Sequence, residues 1–132
     1  MEIREAVEAD AERMAELSES PPDVMRNLVH DRTVRVATTD DEVVGFVSFD
    51  ARDSTVHVTQ IGGSRKACEQ LIEEPIRFAK REGMTVEVLL PEDENETRAA
   101  IESAGFEDDG TGPQFDGRST TRYHLAPGRA RR

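Results

Sequence analysis

The stretch from Thr55 to Arg81, TVHVTQIGGSRKACEQLIEEPIRFAKR, holds the residues whose types and spacing best suit chemistry. Alternation up to Ile61 predicts a strand. Ala67, Cys68, Leu71, Ile72, Ile76 and Ala79, at three- and four-residue spacings, predict an amphipathic helix. Between them, Gly62-Gly63 lets the backbone turn sharply and come close to a ligand. The N–H groups of Ser64, Arg65 and Lys66 then point out of the helix N-terminus, with the helix dipole behind them, as a site for an anion. Arg65 and Lys66 add mobile positive charge at the same end. The plainer reading is a βα corner whose glycines only permit the turn. Cys68 lies among apolar neighbours and reads as a small core residue rather than a nucleophile. No His/Cys/Asp spacing resembles a metal site. Glu73-Glu74 and Glu92-Asp93-Glu94 read as solvated surface, and His30 as a residue at a helix end.

The elements that must position this stretch follow from the rest of the pattern. Met1 to Ala6 is a first strand; Asp10 caps a short helix carrying Met14 and Leu17. Ser20-Pro21-Pro22-Asp23 breaks the chain before a second helix over Val24 to Val29. Thr33 to Thr38 and Val43 to Phe49 form a hairpin, and Gly45 inside the second strand marks a bulge or a close backbone approach. Thr55 to Ile61 completes a meander. Pro75 cannot donate to the carbonyl of Leu71, so the central helix kinks, or breaks and restarts there. Thr85 to Leu90 is a nearly all-apolar strand, as one covered on both faces would be. Asn95 to Ala104 is a helix stopped by Gly105, Phe106 to Gly117 a polar strand or loop, and Ser119 to Leu125 a last strand. The order is β-α-α-β-β-β-α-β-α-β-β.

At 132 residues the chain fits one domain, 1–126, with a frayed basic tail at 127–132. The formal charge of -11, with 28 acidic and 17 basic residues, argues against nucleic acid as a partner. Only Lys66 and Lys80 are lysines. An acidic, lysine-poor surface suits a salt-rich cytoplasm, where screening relieves self-repulsion, so a halophilic source is expected. No apolar run is long enough to span a membrane, and no signal peptide opens the sequence. One cysteine excludes an intrachain disulfide and fits a reducing cytoplasm.

This order of elements resembles the Gcn5-related N-acetyltransferase (GNAT) family. EIREAVEADAERMAEL is similar to that family's first strand and helix, and AIESAGF at Ala100 to Phe106 to its second core helix ending in Gly-Phe. The resemblance implies an α+β, three-layer fold with a central, mostly antiparallel sheet and helices on both faces. It implies transfer of an acetyl group from acetyl-CoA to an amine acceptor. The strand before the glycine turn would splay from Thr85 to Leu90, with pantetheine in the gap pairing like an added strand. Val58, Gln60, Ile61, Gly62, Gly63, Ser64, Arg65 and Lys66 would hold the cofactor, the pyrophosphate lying on the helix N-terminus. If so, Gly63→Val should abolish CoA binding and leave the fold largely intact.

Against the family's phosphate signature, Gln60 and Gly62 match and Arg65 stands where a tiny residue is usual. Many relatives carry a proton-donating tyrosine where this chain has Ile101, and the family asparagine falls on Glu94, beside Asn95. The chain's one tyrosine, Tyr123, is on the last strand and is a candidate acid. His57 and Glu87, one on each splaying strand, are the candidate bases for an acceptor ammonium; histidine's ordinary pKa suits that work near neutrality. The alternative is a domain that keeps the fold, has lost catalysis, and serves as a ligand sensor or homodimer.

Overall fold

Two apolar surfaces on one sheet organise the molecule, because strand alternation sends successive side chains to opposite faces. The computed structural model describes residues 1–18, 20–114 and 117–126; the expected basic tail at 127–132 lies outside them. Seven strands form the sheet: β1 (Glu2–Glu5), β2 (Thr33–Thr39), β3 (Glu42–Arg52), β4 (Thr55–Gly63), β5 (Thr85–Pro91), β6 (Glu107–Thr111) and β7 (Thr120–Leu125). Their spatial order is β1-β2-β3-β4-β5-β7-β6. Every neighbouring pair is antiparallel except β4 with β5. This is the mostly antiparallel α+β sheet that the order of elements predicts.

Helices α1 (Ala11–Ser18) and α2 (Pro22–Asp31) cover one face. There Met14 and Met25 pack against Val34, Val36 and Phe46. Helices α3 (Arg65–Leu71), α4 (Glu73–Glu82) and α5 (Asn95–Ser103) cover the other. On that side Leu71, Ile76 and Ile101 pack against Val47, Val56 and Val86.

One local detail corrects the sequence expectation and two make it specific. Asp10 does not cap α1 but closes the 3-10 turn before it, where its carboxylate accepts from Val7 N–H at 2.8 Å and is gripped by both Arg4 Nη atoms. The central helix breaks at Ile72, so Pro75 falls in the first turn of α4, where the missing N–H has no intrahelical bond to lose. Gly45 is both things its position suggests. A bulge at Val44 adjoins it, and a Cβ there would stand 2.7 Å from the Ala67 Cβ of α3.

The feature that positions the site is where β4 and β5 part. Their parallel ladder runs from Thr55↔Thr85 to Val58↔Val88 and stops. At that point Phe49 pairs with Val58 but Ser48 pairs with Gln60, so Thr59 is an extra residue in β4. The Thr59 hydroxyl lies 2.7 Å from Ser48 Oγ and 3.2 Å from the Ser48 carbonyl, which pins the bulge. A bulge bends its strand and re-phases its side chains. Thereafter β4 stays with β3 while β5 stays with β7 as far as Pro91, and the two halves of the sheet diverge.

Candidate functional site

The divergence opens a cleft of about 550 Å³. Gln60, Ile61 and Gly62 form one wall, and Leu89, Leu90 and Pro91 the other. Leu17, Ser18 and Ser20, at the end of α1, close a third side. The side of β4 that has left β5 offers backbone groups to this space, because the ladder that would occupy them ends at Val58.

His57 and Glu87 are directly paired across the last paired stretch of β4 and β5, on the face opposite Val56 and Val58, and both line the cleft. His57 Nδ1 lies 3.2 Å from Glu87 Oε1. A carboxylate only accepts, so Nδ1 is the nitrogen that donates, and in the neutral ring the lone pair is then on Nε2. The second oxygen, Oε2, is 3.3 Å from Arg122 Nε on β7. Glu87 is therefore held from both sides, and orienting His57 is a use that both its contacts support. These two candidate residues thus form one unit, in which the imidazole can exchange a proton and the carboxylate holds its tautomer.

Tyr123 is placed elsewhere, a correction to its candidacy as an acid in the cleft. It pairs with Val88, so it shares the α3–α5 face, and it is 2 % exposed. Its hydroxyl donates to Glu102 Oε2 at 3.0 Å and accepts from Arg98 Nη1 at 3.2 Å. Burial, followed by the Glu102 hydrogen bond, raises its pKa above the ordinary tyrosine value. The position of Ile101 is wholly buried in the same core. Burial pushes the Cys68 thiol up to about 11, which makes it a poor nucleophile.

Of the residues expected to hold a cofactor, Val58, Gln60, Ile61 and Gly62 line the cleft. The corner that follows is more closed than the sequence suggests. Gly63 has φ +121°, and a Cβ there would lie 2.4 Å from both Gly45 Cα and the Val44 carbonyl oxygen. The glycine is thus required by the packing of β3 against β4, and Gly63→Val cannot leave the fold intact. Ser64 N–H donates to Val44 O at 3.2 Å, and Ser64 Oγ accepts from Ala67 N–H at 3.1 Å. Arg65 and Lys66 keep first-turn N–H groups with no intrahelical acceptor. The Arg65 side chain is drawn back along the helix to Glu69, at 3.1 Å.

Several polar residues of the cleft escape sequence reasoning. Asp50 pairs with His57 across β3 and β4 and binds Arg32 at 3.3 Å. Arg52, Glu94 and Arg118 also line the space. Arg122 alternates with Tyr123 and shares a face with His124, a signal that was visible in TTRYHL once that strand's inward side was known. Of the other histidines, His30 faces Glu8 at 3.6 Å, while His124 pairs with Glu87 from β7, on the side away from His57, and lies 3.8 Å from Asp109. No group of three or more metal-ligating side chains occurs among the described residues.

No protein-family model and no curated protein matches the chain by sequence. Solved structures match it over nearly its whole length. Ard1 from Thermoplasma volcanium superposes with a TM-score of 0.81 at 14% identity, covering 96% of this chain and 97% of that one. A GNAT-family protein from Desulfovibrio desulfuricans gives 0.73 at 20%, covering 95% and 98%. The protein yncA from Salmonella typhimurium, solved with its cofactor acetyl-CoA, gives 0.74 at 17%, covering 95% and 92%. The architecture is accordingly that of the GNAT acetyltransferases.

Proposed function

We propose that this protein is an N-acyltransferase that moves an acetyl group from acetyl-CoA to an amine. The observation that carries the reading is the parting of β4 and β5 beyond Val58 and Val88, with the His57–Glu87 pair where the ladder ends. Residues 58 and 60–62 would hold the pantetheine arm, the N–H groups of Arg65 and Lys66 the diphosphate, and the bound cofactor would supply the acetyl group as a thioester. The cleft has the room for such an arm, and its β4 wall has unladdered backbone for it. His57 would take the proton from the acceptor's ammonium through Nε2, freeing the lone pair of the amine. Glu87 and Arg122 would keep the ring oriented. The remaining advantage comes from holding the reactants together in one orientation.

A second reading, a domain that binds the cofactor or a partner without transfer, is favoured by one specific observation. The corner offers an anion fewer contacts than it might, because Ser64 N–H is spent on Val44 and Arg65 on Glu69. Calorimetric titration of acetyl-CoA into the folded protein, followed by thiol release with a panel of amines, separates the two. Transfer that His57→Gln lowers by about 10²-fold or more supports the enzyme. Binding without transfer to any amine supports the second reading.

A further inference from the structure

The charges in the cleft are unlike those of the molecule. Net charge is -11, yet every carboxylate that lines the cleft already faces a cation. Asp50 Oδ2 has Arg32 at 3.3 Å, and its Oδ1 is buried with no hydrogen-bond partner of its own. Glu87 has His57 on one oxygen and Arg122 on the other. Glu94 lies 3.9 Å from Arg118, which also holds Asp93. Arg52 is different. It lines the same space, is exposed, and makes no ion pair among the described residues.

Its position fits a use. Arg52 pairs with Thr55 and Asp50 with His57, so Arg52 and His57 are diagonal neighbours on one face of the β3–β4 ladder. Such neighbours stand roughly 7–8 Å apart at Cα, a gap that one small molecule bridges. A diamine would find no unpaired carboxylate for its second cation. A molecule with both an amine and an acid group would find a guanidinium, which is built to grip a carboxylate with two parallel hydrogen bonds.

We infer that the acceptor is an amine that also carries a carboxylate, of amino-acid type, and that Arg52 is the residue that selects it. This rests on the transferase reading above. The expectation from net charge alone would be the reverse, a cationic acceptor. The two differ because a cleft responds to its nearest unpaired charge more than to a screened surface.

The test compares L-lysine with cadaverine, and L-phenylalanine with phenethylamine, pairs that differ only in the carboxylate. Thiol release from acetyl-CoA is followed at the lowest KCl concentration at which circular dichroism shows the full chain folded. The carboxylate-bearing member of each pair should have the higher kcat/KM, by about tenfold. Arg52→Gln should erase that preference and Arg52→Lys should keep part of it. Equal use of both members, or a preference that survives Arg52→Gln, overturns the inference. Should acetyl-CoA bind but no amine react, the transferase reading fails by itself. Calorimetric titration of lysine against cadaverine then still decides the role of Arg52: tighter binding of lysine, lost in Arg52→Gln, upholds it, and no difference overturns it.

Discussion

Tyr123 and His57 lie on opposite faces of one sheet, and His57 meets the cleft while Tyr123 is buried under the helices of its own face. Tyr123 belongs to the core, where its hydroxyl joins β7 to α5 through Glu102 and Arg98. Tyr123→Phe should therefore lower stability by about 1 kcal/mol and leave transfer unchanged; loss of transfer in a fully stable variant would return Tyr123 to the chemistry. Asp10 offers a second residue-scale test. The hydrogen bonds from Arg4 hold its carboxyl below the usual carboxylate range. A carboxyl with a lowered folded pKa contributes its stability above the unfolded value, near 3.9, and loses it as pH falls through the folded one. Asp10→Asn should thus be less stable than the parent at neutral pH, and the gap should close in acid. A gap that stays constant with pH would remove the ion pair as its cause.

At the scale of elements, the strand–turn–helix corner is set by close packing as much as by any ligand. Gly45 and Gly63 face each other across β3 and β4, and α3 presses on Gly45 through Ala67. Gly63→Val adds both a clash with the Val44 carbonyl and a left-handed backbone for a β-branched residue. It should cost about 3 kcal/mol or more, visible as a lower urea midpoint. An unchanged midpoint with lost acetyl-CoA binding would show instead that the glycine serves the ligand alone. The break between α3 and α4 has a similar local cause, since Pro75 costs a helix least in its first turn, where it has no intrahelical N–H bond to lose.

For the whole molecule, net charge and local ion pairs oppose one another in salt. Exposed pairs such as Arg65–Glu69 weaken as salt rises, while the self-repulsion of a chain with charge -11 is relieved. Repulsion should dominate because the surplus of acids has no partner to lose. The thermal midpoint should rise between about 0.1 M and 2 M KCl, conditions that shorten the screening length severalfold. A falling midpoint would mean that the ion pairs outweigh the repulsion, and would remove the argument for a salt-rich setting.

The sequence by itself determined the order of elements, the buried thiol, the corner at Gly62-Gly63 and the special place of Gly45, because each depends on local period or on a residue's own backbone freedom. It named His57 and Glu87 but not their contact, which needs two strands separated by α3 and α4 to lie in parallel register. It could not assign faces, because the extra residue at Thr59 resets the alternation of β4 and only pairing with β3 reveals it. Arg52, Arg122 and Asp50 were ordinary surface letters until the sheet brought them to one cleft. Tertiary structure decided which charges remained unpaired there, since an ion pair is a property of two positions in space and leaves no mark on either residue alone.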